Sequence, residues 1–455
     1  MLWETIFPHA ARRARDGDEL LPGYPDPMAL ARNPITVWVA FVLVHLWLGL
    51  VNLYSPSAPL GDVTWVYKFW TDQAIVADYR VGIDTVWVYP ILALLPMLAA
   101  TAFGPEQYGS TWLTMIMLLN AVAFGFVTGW GRSRERIGVA WWWVAFLLLL
   151  GPIALGRIDS VTVPLALVGV ILIASRPRAA AVVLTVAMWV KVWPVAVLGA
   201  AIIALHDRRR IIAVVLGVSV LIIGAALLLG SGANVLSFIT QQTGRGLQVE
   251  APITTLWLWQ ALAGVPDTYV YYDSEILTYQ VQGTGVALAA AVMTPVLALA
   301  VLMIAGLGVR ATRAGASAGD LFPALTLAFV TVLIAVNKVG SPQFIGWIAV
   351  PVVLGLATSA AGHGRSFRFP ATVALVIAAL TQAVYPYLYD AVLALNPLML
   401  AVLSARNILE FVLLGWAVLA VVRSPRQPGA DDDPHEQWLP SVWPLTDRIE
   451  QVNRS

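Results

Sequence analysis

"WVYPILALLPMLAATAF", residues 87–103, decides the fold. The stretch is apolar, but it is shorter than the about 20 apolar residues that a helical span needs. Pro90 and Pro96 also break it. If it crosses a membrane, every later loop changes side. If it lies along or dips into one face, the loops sort by charge.

Outward from this stretch the chain is a series of long apolar segments. Candidate spans are 35–54, 109–130, 138–155, 211–230, 286–308, 320–336, 344–360, 371–389 and 398–421, with shorter ones at 161–174, 179–192 and 193–205. The basic connections are the N-terminal arginines (Arg12, Arg13, Arg15, Arg32), 131–136, 175–178, 206–210, 310–313, 362–368 and 423–426. Short loops rich in Arg and Lys stay in the cytoplasm. All of these loops lie inside together on two conditions. Residues 87–103 must not span, and 179–205 must form a hairpin of two short helices turning at "KVWP" (191–194). About 12 spans result, with both termini cytoplasmic.

The composition supports a polytopic membrane protein. The chain has 455 residues, 59% hydrophobic and only 12% charged, with mean hydropathy +0.78. A soluble domain carries far more charge. A net charge of +1 and the lack of basic runs interleaved with aromatics argue against a nucleic-acid partner. With no cysteine, disulfides and thiol chemistry are excluded. Residues 1–34 form a charged N-terminal segment, and the first apolar stretch starts too far in for a signal peptide. The domain plan is therefore 1–34 cytosolic, 35–423 in the membrane with outer loops at 55–108 and 231–285, and 424–455 a polar, acidic, disordered cytosolic tail.

The charged residues that resist the sidedness rule are the candidates for chemistry. Asp62 in "GDVTWVYKFW" (61–70) follows the first span. It reads either as the N-cap of an interfacial helix or as a general base at the membrane surface. In that helix Val63, Val66, Trp70, Ala74 and Ala77 share one face, and Trp65, Phe69 and Trp70 suit the headgroup layer. Asp72, Asp78 and Asp84 compete with Asp62 from more loop-like settings.

Asp159 in "GRIDS" (156–160), beside Arg157, is an ordinary polar turn and cap or a second acid of the site. Lys191 sits in a helix break within the membrane, where it snorkels to the interface or serves a ligand. Lys338 and Arg245 fall on the same side as Lys191, and three fixed cations there suit a phosphate. Arg406 and Glu410, four apart, read as a structural pair. His45 reads as a helix-packing contact, and the five histidines show no metal spacing.

Together the stretches 61–70, "WVYP" (87–90), "LGRIDS" (155–160), "MWVKVWPVAVL" (188–198) and "KVGSPQFIGW" (338–347) resemble glycosyltransferase family 87. These are bacterial polytopic enzymes that use polyprenyl-phosphate sugars, and they include mannosyltransferases and an arabinofuranosyltransferase. The resemblance implies an all-α type-C glycosyltransferase fold, with juxtamembrane helices in the first outer loop and Asp62 as catalytic base. The matched stretches add Tyr89, Trp193 and Gln343 to Asp159, Arg157, Lys191, Lys338 and Arg245 as expected substrate-binding residues.

Two departures are plain. The family's Gly-Gln-x-Asn turn is Gly156-Arg157-Ile158-Asp159 here, and Ser341-Pro342 is followed by Gln343-Phe344-Ile345 where a mannosyltransferase subgroup has histidines.

The expected activity is inverting transfer of mannose from polyprenyl phosphate to an envelope glycolipid or glycan. It would occur on the outer face of the plasma membrane, in a monomer, with no cofactor and no metal. An arabinofuranosyl donor is the alternative within the class. A lipid or solute carrier, with Lys191 and Arg406–Glu410 along its path, is the alternative outside it. A purely structural envelope protein is a third.

Overall fold

The computed structural model describes residues 32–241 and 245–425. The expected N-terminal cytosolic segment and disordered tail fall outside the described residues, apart from 32–34 and 424–425.

The apolar segments are helices. In chain order they begin with α1 (Pro34–Tyr54), the short α2 (Lys68–Val76) and α3 (Leu94–Ala99), then α4 (Pro105–Thr128) and α5 (Ile137–Ala154). Three shorter apolar helices follow, α6 (Asp159–Leu172), α7 (Pro177–Val190) and α8 (Val195–Ala204), and then α9 (Arg208–Leu228) and the short α10 (Thr255–Leu262). The second half holds α11 (Val286–Arg313), α12 (Ala318–Ala335), α13 (Pro342–Ala360), α14 (Arg368–Tyr387), α15 (Tyr389–Leu393) and α16 (Pro397–Val422). Among the described residues, nine of these helices are long and apolar enough to cross a membrane. With α6, α7 and α8 they account for every segment expected from hydropathy.

Local chemistry starts these helices where the structure has them. Asn33 caps α1, its side chain accepting from Ile35 N at 2.9 Å ahead of Pro34. Asn396 does the same for α16 before Pro397. Ser317 caps α12 and bonds reciprocally with Asp320.

The stretch 87–103 does not form a span. Its prolines leave only a 3₁₀ turn, Ile91–Ala93, and the six-residue α3. Ala93, Leu94, Met97 and Ala100 pack into the core while Leu95 and Phe103 are exposed.

α12 is the central post, with 89% of its apolar window buried against 11% for α9 and 6% for α11. Those two helices therefore stand at the periphery with apolar faces outward, the side a bilayer would cover.

Three expectations are corrected. The chain is not all-α: residues Tyr269–Asp273 (β1) and Thr278–Gln282 (β2) form an antiparallel hairpin in the 231–285 loop. Aromatic and β-branched residues at alternating positions favour a pleated strand over a helix. Asp62 does not cap a helix. It opens a π-helical turn, Asp62–Tyr67, after Gly61 in helical conformation, and no side-chain cap bond forms. Finally, the buried face of this segment is Val63, Tyr67 and Thr71, not Val63, Val66 and Trp70. A π turn closes on i+5 rather than i+4 and so brings positions four apart onto one face. Trp65 and Phe69 do point outward, as an interfacial helix requires.

Candidate active site

The site grows from the turn after α5. There the Arg157 guanidinium is buried and makes four contacts. It donates to the Pro59 and Gly156 carbonyls at 2.7 Å each, donates to Tyr385 Oη at 2.7 Å, and lies 3.0 Å from Asp62 Oδ2 through Nε. One cation thus ties the loop after α1 to the α5–α6 turn and to the last turn of α14. The Asp62 side chain remains 45% exposed, so it is both held and reachable. Burial by itself lowers Arg157, but Asp62, Tyr385 and Tyr67 outweigh it and raise it above the ordinary guanidinium value. Arg157 is charged at every relevant pH.

Tyr67 links the same parts from beneath. Its hydroxyl accepts from Ile158 N at 3.2 Å, and its ring packs against Trp70, Trp112 and Tyr89. Burial first, then Tyr89 and Asp62, push this phenol far above its ordinary value, so it stays protonated. Trp112 donates to the Leu155 carbonyl at 2.9 Å and fixes the turn from α4.

Asp159 starts α6 and is buried. Although Arg157 is two residues away in sequence, the partners of Asp159 lie elsewhere. Oδ1 accepts from Trp347 Nε1 at 2.7 Å, and Oδ2 lies 3.7 Å from Lys191 Nζ. Arg157 precedes α6, in the turn after α5, and its side chain goes instead to Asp62, Pro59 and Tyr385. Lys191 occupies the extended residue that ends α7. Its ammonium lies 4.6 Å from the Tyr89 ring centroid and 5.7 Å from that of Phe344. Trp193 stacks on Trp347 at 5.4 Å and donates to Thr162 Oγ1 at 2.8 Å. It is therefore a buried wall behind the acid–lysine pair. Gln343 lines an internal cavity of about 20 Å³ with Asn120, Asp159 and Ser160, room for about one water.

Arg245 and Lys338 complete the cluster. The Lys338 carbonyl accepts from Gln248 N at 3.0 Å, and Gln248 Oε1 accepts from Gly340 N at 3.2 Å, which pins the two loops together. Burial, then the Arg245 charge, lowers the Lys338 ammonium from its ordinary value. Burial lowers Arg245, partly offset by Tyr89. The buried Lys338 and the half-buried Arg245 repel each other and are suited to share an anion. Arg245 Nε is buried and has no hydrogen-bond partner among the described residues.

The close approach of these loops needs glycine at position 340: a Cβ there would run into the backbone of Glu250 and Ala251. Gly340→Ala is expected to destabilise the protein by about 1–3 kcal/mol, read as a lower melting temperature in detergent. An unchanged melting temperature would show that the two loops are not pinned together.

The competing acids are spent locally. Asp72 pairs with Lys68 at 2.8 Å, and Asp84 and Asp78 pair with Arg80 at 3.3 and 3.9 Å. Arg406 and Glu410 are a buried pair at 3.3 Å. Arg406 also donates to the Glu250 carbonyl at 2.6 Å, so α16 braces the loop that carries Arg245 and Gln248. His45 bonds to the Phe41 carbonyl at 2.9 Å and to the Asn120 amide at 3.1 Å, a packing contact between α1 and α4. Among the described residues, no group of three His, Asp or Glu is placed to hold a metal ion.

The structure thus brings Asp62, Arg157, Asp159, Lys191, Tyr89, Arg245 and Lys338 to one end of the bundle. Tyr67, Tyr385, Trp347, Gln248 and Glu250 belong to the same constellation and were not singled out from the sequence. Tyr67 and Trp347 lie within the stretches 61–70 and 338–347, and Tyr385 within the tyrosine-rich "YPYLYD" (385–390), while Gln248 and Glu250 carried no signal.

Compared with protein-family models, curated proteins and solved structures, the chain matches none of them.

Proposed function

We propose that this protein is a membrane-embedded glycosyltransferase. It moves mannose from a polyprenyl-phosphate donor to an envelope glycan or glycolipid, on the extracytoplasmic face of the plasma membrane. One observation carries the reading. An exposed carboxylate, Asp62, is clamped by Arg157 within one contact network of the Asp159–Lys191 pair, next to the repelling cations Arg245 and Lys338.

In the reaction, an acceptor hydroxyl oxygen forms a bond to the anomeric carbon as the bond from that carbon to the phosphate oxygen breaks. Asp62 takes the hydroxyl proton. The polyprenyl phosphate leaves with the bonding electrons. A single base and no covalent intermediate invert the anomeric centre. Lys191, Lys338 and Arg245 neutralise the phosphate and stabilise its departure. Asp159, held by Trp347, orients sugar hydroxyls. An apolar groove of about 430 Å³ between 91–98 and α9, bordered by Val186 of α7 and with Arg80 its one charged lining residue, suits the isoprenoid chain. α7 ends at Lys191, so such a chain lies beside the phosphate site.

Sidedness follows from charge. The basic connections 131–136, 175–178, 206–210, 310–313 and 362–368 fall at the end of the bundle opposite the site, and basic loops favour the cytoplasm. The type-C architecture belongs to this same proposal. A carrier gains nothing from the Arg406–Glu410 pair, which is buried and bonded to the Glu250 carbonyl rather than lining a path.

The test incubates purified protein with radiolabelled decaprenyl-phosphomannose and a membrane lipid extract, with the matching arabinose donor run in parallel. A labelled product from the mannose donor is expected. Label from the arabinose donor alone would replace the sugar. No product from either donor, with folded protein, would remove the reading.

A further inference from the structure

The β1–β2 hairpin supplies none of the donor-site cations, although β2 pairs with residues 247–249 beside them, and it carries an unusual side-chain row. Its register pairs Tyr272 with Tyr279 and Val270 with Val281, so these four share one face. Val281 is buried and anchors that face to the body. From the tip inward, the Tyr272 and Tyr279 rings are 5.0 Å apart, Tyr279 and Tyr389 5.9 Å, and Tyr389 and Tyr385 5.5 Å. The row ends where Tyr385 Oη accepts from Arg157 at 2.7 Å, and Arg157 holds Asp62. We propose that Tyr272, Tyr279, Tyr389 and Tyr385 form a track for a neutral oligosaccharide acceptor, delivering its terminal hydroxyl to Asp62. This rests on the glycosyltransferase reading and deepens it by naming the acceptor class.

Three observations select a sugar. First, the ring planes meet at 57°, 70° and 79° along the row. No ring is covered face-on by another ring of the row, and only Tyr385, at the inner end, has the Arg157 guanidinium over it, 5.6 Å from its centroid. Tyr272 is half exposed and the other three are only partly buried. An aromatic face takes the C–H face of a pyranose, and a phenol bonds its hydroxyls.

Second, the surface is neutral to acidic. No Lys or Arg occurs between Arg245 and Arg310, while Asp267, Asp273 and Glu275 lie in or next to the hairpin in sequence and Asp390 follows Tyr389. A phosphate or an anionic headgroup is repelled here and drawn to the Lys191, Arg245 and Lys338 cluster instead. Donor and acceptor are thereby sorted by charge on the two sides of Arg157.

Third, the inner end is built for the site. The Tyr389 hydroxyl bonds to the buried Glu250 carboxylate, and burial followed by Glu250 keeps that phenol protonated. Tyrosines that merely anchor a protein in the headgroup layer need no such inward row.

The experiment uses the full chain in lipid nanodiscs. The probes are octyl α-mannoside and octyl α-mannohexaoside, with the α-gluco pair alongside. Binding by titration calorimetry and transfer kinetics are both measured. In the wild-type protein a hexasaccharide is expected to bind about tenfold more tightly than its monosaccharide. Tyr272→Ala should remove most of that gain and raise the hexasaccharide KM, with kcat within about twofold. Tyr272→Phe, which keeps the ring, should retain it. Equal binding of short and long glycans in both series would overturn the track. So would Tyr272→Ala weakening both lengths alike, the result an interfacial anchor gives. Transfer without chain-length dependence removes the track and leaves the enzyme. Chain-length-dependent binding with no transfer from any donor removes the enzyme and leaves the track.

Discussion

Asp62→Asn is expected to lower sugar transfer by about 10²–10⁴-fold, the range that a positioned general base contributes. The side chain that is lost is accessible to an acceptor, and asparagine keeps its size while losing the capacity to take a proton. The fold should survive. Arg157 retains its bonds to Pro59, Gly156 and Tyr385, and Asp62 is half in water, so the lost ion pair is worth about 1 kcal/mol or less. Donor binding should be nearly unchanged, because the phosphate cations are elsewhere. The measurement is initial rate with radiolabelled decaprenyl-phosphomannose, beside a melting curve. A variant that melts like the wild type and keeps more than about a tenth of its rate would take Asp62 out of the base role.

Lys191→Met is the second large effect, and it separates chemistry from stability. Removing the ammonium leaves the buried Asp159 carboxylate with Trp347 as its hydrogen-bond donor and no cation at hand. An uncompensated buried charge costs about 3 kcal/mol. Transfer should fall by about 10²–10³-fold, the loss seen when one electrostatic stabiliser of a developing charge is removed. The double variant Lys191→Met/Asp159→Asn, with its rate read against Asp159→Asn alone, distinguishes the two causes. Asparagine still accepts from Trp347 but carries no charge, so the melting temperature should return while the rate does not. Recovery of the rate together with the melting temperature would show that Lys191 only neutralises Asp159. It would then have no role toward phosphate.

Some of this was legible along the chain because it is local. Span positions follow from runs of apolar residues, each long enough to satisfy its own backbone bonds. The prolines at 90 and 96 marked 87–103 as a broken stretch, and it holds only a 3₁₀ turn and the six residues of α3. Asp62, Arg157, Lys191, Arg245 and Lys338 drew attention because a charge in a poorly charged chain needs a partner. The Arg406–Glu410 pair and the His45 packing contact were readable from helical spacing alone.

Partner choice was not readable. Sequence proximity suggested Arg157 with Asp159, yet Arg157 takes Asp62, across 95 positions, and Asp159 takes Lys191 and Trp347. The π turn at Asp62 was hidden because π and α turns share residue preferences, and packing against Tyr89 and Trp112 decides between them. The hairpin was hidden inside a loop that hydropathy treats as mere connection. Trp193 and Gln343 were placed at the site by motif, and only packing turned one into a wall and the other toward an internal cavity.

What the sequence by itself determined is the set of apolar helices, their break at 87–103 and the charges that lie in loops at one end. These depend on neighbours within a turn or two, where the hydrophobic effect and backbone bonding act along the chain. The tertiary structure decided which charge meets which, and which tyrosines line up behind Asp62. Those contacts join residues up to 228 positions apart, and only the packing of separate helices brings such groups within bonding distance.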